Sequence, residues 1–145
     1  PTSSMAIGLY WRYDKLELER GDIVLACLPD TPESRLFIDR GYFYAVSCPG
    51  GRGKILKRVS GIPGDDVSIS QLGVTINGQR IKNSVPLVLD SRGRKMPYLS
   101  LSKQLKANEY ILTGENALSL DSRYFGPIKK EQILFPVRPL WISGG

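Results

Sequence analysis

Residues 55–67 read Ile55-Leu56-Lys57-Arg58-Val59-Ser60-Gly61-Ile62-Pro63-Gly64-Asp65-Asp66-Val67, an apolar run that contains a lysine and ends in a Pro-Gly turn. Alternate side chains of a β-strand share one face, so Ile55, Lys57 and Val59 are expected to point together into whatever the strand packs against. This pattern leaves two interpretations of Lys57. Either it lies on an edge strand and its amine reaches water, or its amine is buried and its pKa is low enough for it to act as a base.

The composition predicts one domain that spans residues 1–145. The chain has 145 residues, of which 41% are apolar, and this is enough for one cooperative core. Its formal net charge of +6 comes from basic residues interspersed with acidic ones, and no stretch alternates basic with aromatic residues. We therefore expect no nucleic-acid partner, whereas attraction to a membrane surface with anionic head groups stays open.

The lack of histidine restricts the chemistry. A catalytic triad that uses histidine is impossible, and two cysteines do not provide a tetrahedral zinc site, so we expect neither a metal nor a cofactor. A serine nucleophile in this chain would need an amine as its base, and Lys57 is the lysine set in an apolar strand. No apolar run approaches the roughly 18 residues of a membrane span.

Alternating apolar residues and frequent turns predict a mainly β fold of closed or coiled antiparallel sheets with one or two short helices. One helix is expected from Pro32, with Thr31 as its N-cap, to about Arg40. A second short helix is expected at residues 100–106, and Trp141 is expected to anchor the core. The predicted strands are 5–12, 23–28, 42–47, the stretch around Lys57, both arms of an Asn-Gly hairpin at 74–81, 109–113 and 133–142.

Two further polar stretches bear on Lys57. Residues 2–5, Thr-Ser-Ser-Met, place three hydroxyls beside the first strand, and residues 114–126 are dense in polar groups between two apolar segments. Considered separately, the first is a frayed terminus and the second a surface loop closed by an ion pair.

Considered together, four boxes follow the order found in type I signal peptidases. They are Ser4-Met5, Gly21-Asp22-Ile23-Val24, Lys57-Arg58-Val59 with its Gly-x-Pro-Gly-Asp continuation, and Asp121-Ser122-Arg123 followed by Gly126. The chain therefore resembles this superfamily over essentially its whole length. Residues 7–11, 47–51, 123–127 and 138–141 resemble its conjugative-transfer branch more than the housekeeping leader peptidases.

The resemblance implies a signal-peptidase-like fold and assigns roles to the polar residues. Ser4 would be the nucleophile and Lys57 its general base, and the Ser4 amide and the Thr2 hydroxyl would form the oxyanion hole. Ser119 would bind the Lys57 amine. Asp121 and Arg123 would pair to brace that loop, and a purely structural pair is the alternative.

The resemblance also implies a function. We expect a membrane-associated serine endopeptidase at the periplasmic face of the bacterial inner membrane, with its anchor upstream of Pro1. Its substrate would be an exported conjugative pilin precursor, trimmed or also joined into a ring, and other type IV secretion components would be partners. One alternative is a general leader peptidase that acts on substrates bearing signal peptides. Another is a noncatalytic β-rich binding module of a transfer apparatus.

The two cysteines are expected to form a disulfide. Cys27 and Cys48 are an even pair near the ends of predicted strands, and the implied location outside the cytoplasm permits oxidation. A pair of buried free thiols is the alternative.

Overall fold

The computed structural model describes residues 8–15, 17–43, 48 and 53–142 and shows a mainly antiparallel β fold with two short helices in this part of the chain. The elements are β1 (Gly8–Arg12), β2 (Ile23–Cys27), α1 (Pro32–Asp39), β3 (Lys54–Gly61), β4 (Asp66–Ser70), β5 (Gly73–Ile76), β6 (Gln79–Arg80), β7 (Leu101–Gln104), β8 (Glu109–Thr113), α2 (Ser122–Phe125), β9 (Ile128–Lys129), a 3-10 turn (Lys130–Gln132) and β10 (Ile133–Ile142).

The strands form two sheets, and β3 lies inside the larger one. The six-stranded sheet has the order β1-β10-β2-β3-β8-β9, and the four-stranded sheet has the order β6-β5-β4-β7. Lys57 pairs with Val24 of β2 on one side of β3, and Arg58 pairs with Thr113 of β8 on the other side. The interpretation of β3 as an edge strand is therefore wrong.

The Pro-Gly turn after β3 carries the chain from the first sheet to the second. Gly64 has a φ of +91°, a backbone conformation that glycine adopts without strain. Asp65 accepts a hydrogen bond from the Ile62 amide at 2.9 Å and forms an ion pair with Arg20 at 2.6 Å. It also accepts a hydrogen bond from the Asn77 side chain at 3.0 Å. One carboxylate thus fastens the turn to two distant segments.

Two local predictions from turn and cap chemistry are confirmed. Asn77 and Gly78 have φ values of +49° and +82°, as a tight hairpin turn between β5 and β6 requires. The Thr31 side chain accepts a hydrogen bond from the Ser34 amide at 3.2 Å and caps α1, which begins at Pro32.

Other predictions are wrong. The helix expected at 100–106 is instead strand β7, which pairs with β4, and Leu101 packs against the core of the second sheet. Tyr42 and Phe43 are not in a strand, and the rest of the strand predicted at 42–47 lies outside the described residues. Strand β4 was not predicted, although Val67 and Ile69 are buried and alternate with polar residues. Because β4 and β7 stabilise each other by pairing, neither is obvious from its own sequence.

Each sheet covers a core of its own. The first core lies between the larger sheet and both helices, and the second lies between the smaller sheet and β8. Gly61, at the end of β3, lies so close to Ile111 that an added Cβ would be 2.9 Å from the isoleucine Cβ. Ile111 also packs with Val67 and Ile69 of β4 in the second core, so the two sheets meet near the end of β3. The side chain of Trp141 lies outside the described part, so its role as a core anchor stays a prediction.

A disulfide joins Cys27, at the end of β2, to Cys48, with their Cα atoms 6.0 Å apart. Both residues are buried, at 5% and 7% exposure. The bond closes a loop that contains α1 and thereby holds this helix against the larger sheet. Among the described residues, no helix has the length and hydropathy needed to cross a lipid bilayer.

We predict that the protein unfolded without reductant contains no titratable thiol. Replacing both residues, Cys27→Ala and Cys48→Ala, should lower the free energy of unfolding by about 3 kcal/mol, because the unfolded chain regains the freedom of the closed loop. Urea denaturation of the variant and of the wild type measures this difference, and the wild type in reductant is the control. Two titratable thiols in the unreduced protein would show that the bond is absent.

Candidate active site

Lys57 is buried in the middle of β3. Its side chain is on the same face as those of Ile55 and Val59, and all three residues are buried, Lys57 at 2% exposure. The alternate residues Leu56 and Arg58 are only partly buried. The alternation of the strand thus directs the amine toward the first core, as the sequence predicts.

Ser119 meets the Lys57 amine from the loop between β8 and α2. Its Oγ accepts a hydrogen bond from Lys57 Nζ at 2.9 Å, and the serine is itself fully buried. The Ser119 amide donates to the Asn116 carbonyl at 3.2 Å, and the Leu118 amide donates to the Asn116 side chain at 2.9 Å. This tight turn fixes the direction in which the Ser119 hydroxyl points.

Burial lowers the pKa of Lys57 from 10.5 to about 8. The main cause is desolvation, because an ammonium loses its hydration when it enters an apolar environment. The carboxylate of Asp121 acts in the opposite direction, and the Arg123 guanidinium again lowers the pKa. Near neutral pH a substantial fraction of Lys57 is therefore neutral, which a base requires.

Asp121 and Arg123 form a fully buried ion pair beside Lys57. Arg123 Nε donates to Asp121 Oδ1 at 2.8 Å, and Arg123 Nη2 donates to Asp121 Oδ2 at 2.9 Å. Two parallel hydrogen bonds between a guanidinium and a carboxylate fix the relative orientation of both groups. Such a pair is stable in an apolar interior only when its other hydrogen-bonding groups are also satisfied.

The other hydrogen-bonding atoms of Asp121 and Arg123 bind backbone groups, most of them in the Ser119 loop. Asp121 Oδ2 accepts from the Gly114 amide at 2.8 Å, and Oδ1 caps α2 by accepting from the Arg123 amide at 3.0 Å. Arg123 donates to the carbonyls of Ala117 and Asn116 at 3.2 and 3.4 Å. The ion pair thus fastens both ends of the loop that presents Ser119 to Lys57.

Arg58, on the opposite face of β3, also holds the Ser119 loop in place. It donates to the Gly21 carbonyl at 2.7 Å and to the Glu115 carboxylate at 2.8 Å. It therefore links the start of β2 to the Ser119 loop. The pair of Arg58 and Glu115 was not predicted, because Glu115 lies in the loop after β8 and the path of that loop decides whether it reaches Arg58.

Four of the predicted site residues converge in the structure, namely Lys57, Ser119, Asp121 and Arg123. Thr2 and Ser4 lie outside the described residues, so the nucleophile and the oxyanion hole stay predictions. Within the described part of the chain, no cluster of three cysteine, aspartate or glutamate side chains is arranged to hold a metal ion. The chemistry that this arrangement supports is proton transfer by an amine.

Comparison with known proteins identifies the family. The family described as "Signal peptidase, peptidase S26" matches residues 3–141, and the chain therefore belongs to this family of serine peptidases. Two proteins of Escherichia coli, each named "Plasmid transfer protein TraF", are 36% and 38% identical to it over 141 residues. These alignments cover 96% of this chain and 79% of each relative. The predicted resemblance to signal peptidases and to their conjugative-transfer branch is confirmed.

A solved structure, a signal peptidase I from Enterococcus faecalis, aligns with 83% of this chain and 96% of its own chain. The TM-score is 0.45 and the sequence identity is 20%.

We predict that Lys57→Met stabilises the protein at neutral pH. With a pKa of about 8 when folded and 10.5 when unfolded, Lys57 is protonated in both states below pH 8, and the folded state then bears the full cost of a buried ammonium. This cost is about 3 kcal/mol. Between these two pKa values the unfolded state binds more protons, so the stability of the wild type rises with pH. The free energy of unfolding of the variant should therefore exceed that of the wild type by about 3 kcal/mol at pH 6.5 and by about 1 kcal/mol at pH 10.

Urea denaturation at both pH values measures this advantage. Lys54→Met is the matched control, because Lys54 is an exposed lysine on the same strand, and its effect should not change with pH in this way. A difference between Lys57→Met and wild type that is the same at pH 6.5 and pH 10 would contradict the lowered pKa.

Proposed function

We propose that this protein is a membrane-associated serine endopeptidase in which Ser4 is the nucleophile and Lys57 is the general base. The observation that carries the proposal is the environment of Lys57. The residue is 2% exposed, its amine donates a hydrogen bond to Ser119, and burial lowers its pKa to about 8. A lysine that serves only to stabilise the fold would lie better at the surface, where its ammonium keeps its hydration. An amine that must accept a proton benefits from this environment.

In the proposed reaction the neutral Lys57 amine takes the proton of the Ser4 hydroxyl while Ser4 Oγ attacks the scissile carbonyl. The tetrahedral intermediate collapses when the C–N bond breaks, and the Lys57 ammonium returns the proton to the leaving amine. The product of this step is an acyl-enzyme, an ester of Ser4. Lys57 is neutral again and can activate the nucleophile that releases the acyl group.

Stabilisation of the oxyanion is assigned to the Ser4 amide and the Thr2 hydroxyl. Donors aimed at the developing negative charge usually supply a large share of catalysis, and loss of one costs about 10²- to 10³-fold in rate. Ser119 has a positioning role, since its hydrogen bond of 2.9 Å fixes the Lys57 amine. Asp121 and Arg123 support Ser119 through the loop backbone.

The proposed substrate is an exported conjugative pilin precursor, processed at the periplasmic face of the inner membrane together with other type IV secretion components. The names of the E. coli relatives refer to plasmid transfer, and this supports a transfer role over that of a general leader peptidase. An extended peptide that pairs with a sheet edge would suit the fold. A noncatalytic binding module would have no use for a destabilising buried amine.

We predict that the protein cleaves a peptide spanning the processing site of its cognate pilin. Ser4→Ala and Lys57→Met should each abolish detectable cleavage, because nucleophile and base act as a unit. Lys54→Met is again the control, and it should retain wild-type turnover. Product formation is measured by mass spectrometry. Turnover of more than a few per cent by either Ser4→Ala or Lys57→Met would exclude the proposed dyad.

We also predict that cleavage increases with pH through an ionisation near 8, because Lys57 must be neutral to accept a proton. Asp121→Asn should move this ionisation to lower pH, since it removes the carboxylate that favours the ammonium and leaves Arg123 unneutralised. The dependence of kcat/KM on pH is the measurement, and circular dichroism confirms that the variant is folded. An unchanged pH profile in a folded, active variant would assign the ionisation to another group.

A further prediction concerns the second half of the reaction. The acyl-enzyme can be resolved by the terminal amine of the same pilin, so that the product is a ring. Water is present at about 55 M, whereas a well-oriented amine reaches effective molarities of about 10⁵ M or more. Mass spectrometry of the product distinguishes the two outcomes, because the ring is one water lighter than the trimmed linear chain. Only linear product from the cognate pilin in membranes would define a plain hydrolase.

A further inference from the structure

The chain between β6 and β7, residues 82–98, carries a large share of the positive charge of the protein, and we call it the β6–β7 segment. It contains four basic residues and one acidic residue, so its net charge of +3 is half of the formal net charge of +6 of the whole chain. The basic residues are Lys82, Arg92, Arg94 and Lys95. The proposed peptidase mechanism uses none of them.

Asp90 fixes the shape of the tip of this segment. Its carboxylate accepts hydrogen bonds from the Arg92 and Arg94 amides at 2.9 and 2.8 Å and from the Arg94 guanidinium at 2.7 Å. It also accepts a hydrogen bond at 2.6 Å from the hydroxyl of Tyr42, which follows α1. The tip is thus held in one conformation before any partner arrives, so binding there costs little ordering of the segment.

The positive charge that these contacts leave uncompensated lies on Arg92 and Lys95. Both residues are exposed. In the described part of the chain, the ion pairs of Asp90 are with Arg94 and Arg40, and neither Arg92 nor Lys95 takes part in them. Two exposed cations on a fixed tip favour a partner that carries carboxylates.

Large apolar side chains are exposed on the same segment. Val88 is 76% exposed, Tyr98 is 66% exposed and Leu89 is 49% exposed. A bridge between Leu89 and Lys95 brings an apolar and a basic residue side by side. Burial of these apolar side chains in a partner is favourable, so the surface suits a partner that is both apolar and acidic.

The base of the β6–β7 segment contacts the candidate active site. The Asn83 side chain donates to the Glu115 carbonyl at 3.1 Å, and Glu115 is in the Ser119 loop. The Leu87 amide donates to the Tyr124 hydroxyl at 2.8 Å, and Tyr124 is in α2 next to Arg123. A chain bound to the β6–β7 segment is therefore held close to the elements that position Lys57.

We propose that the β6–β7 segment is an exosite, a surface that binds the substrate protein at a distance from the bond that is cleaved. This inference rests on the proposed peptidase function. The occupant is a stretch of the substrate whose carboxylates face Arg92 and Lys95 and whose apolar side chains cover Val88 and Tyr98. The contact with the Ser119 loop favours the substrate over an unrelated acidic protein, because the substrate is the chain that must lie near Lys57.

An exosite predicts a difference between long and short substrates. A substrate bound at two places presents its scissile bond to the site at a high effective concentration. A short peptide that lacks the acidic stretch loses this benefit. Because the exosite binds the substrate and the transition state equally, its loss should raise KM for the complete substrate and leave kcat unchanged.

The test compares the complete pilin precursor, in a zwitterionic detergent, with a short peptide that spans only its processing site. Arg92→Gln/Lys95→Gln should raise KM for the precursor about fivefold, since each exposed charge pair contributes a factor of roughly two. Val88→Ser should raise it as well. Neither change should alter cleavage of the peptide, and added salt should raise KM of the wild type for the precursor only.

Two matched controls separate the β6–β7 segment from general effects of charge and surface hydrophobicity. Lys129→Gln/Lys130→Gln removes the same charge from exposed residues of another segment, and Leu72→Ser changes a side chain that is 75% exposed in the β4–β5 turn. Both variants should process the precursor with the KM of the wild type. Circular dichroism confirms that each variant is folded.

Binding without cleavage separates this proposal from the proposed function. Fluorescence anisotropy measures the affinity of the protein for the labelled precursor, with Ser4→Ala added so that the precursor stays intact. Both β6–β7 variants should lower this affinity, and both controls should retain it. If the wild type cleaves neither substrate, the proposed peptidase function is wrong, and the affinities still decide whether the segment binds the precursor.

Three results would overturn the exosite. They are equal changes of KM in the two charge variants, equal changes for the precursor and the peptide, and an unchanged affinity for the precursor in the β6–β7 variants. A rise in KM and a loss of affinity that are confined to the precursor and to the β6–β7 variants would establish it.

Discussion

The burial of one amine in the middle of a sheet is the constraint on which the rest of this structure depends. Lys57 lies on an interior strand: it pairs with Val24 of β2, and from the next residue, Arg58, the strand also pairs with β8. A side chain anchored in this way cannot reach water by a small movement of the strand. The fold therefore keeps the desolvation that lowers the pKa of the amine, and it does so through the pairing of backbone groups.

The charges around Lys57 are arranged so that burial stays the dominant influence. A carboxylate alone near the amine would stabilise the ammonium and oppose the role of a base that we propose for Lys57. In this protein Asp121 is joined to Arg123 by two hydrogen bonds, and the two charges act on Lys57 in opposite directions. The pair can thus brace the Ser119 loop without restoring an ordinary lysine pKa.

Sequence was informative where one short segment determines its own structure. The Asn77-Gly78 turn and the Thr31 cap follow from local chemistry, and the alternation around Lys57 correctly places its side chain in the core. Strand β7 was predicted as a helix because its residues have no strong strand preference. Its structure is decided by the edge of β4, which lies more than 30 residues earlier in the chain.

In the candidate site, too, some features could be predicted from the sequence and others required the structure. Lys57, Ser119, Asp121 and Arg123 could be selected from the sequence because their side chains fit a family pattern. The amide of Gly114 and the carbonyl of Ala117, which complete the ion pair, could not, because every residue carries these backbone groups. The Glu115 contact to Arg58 depends on how the loop leaves β8 and also required the structure.

Because the contacts of Arg123 with the loop use carbonyls, they allow the side chains of the loop to change. Arg123 donates hydrogen bonds to the backbone carbonyls of residues 116 and 117, and every type of residue has such a carbonyl. Leu118 is 61% exposed. Substitution of residues 117 and 118 would therefore leave the backbone contacts that set the path of the loop in place. The outer surface next to Ser119 can change in this way without altering the hydrogen bond between Lys57 and Ser119 beneath it.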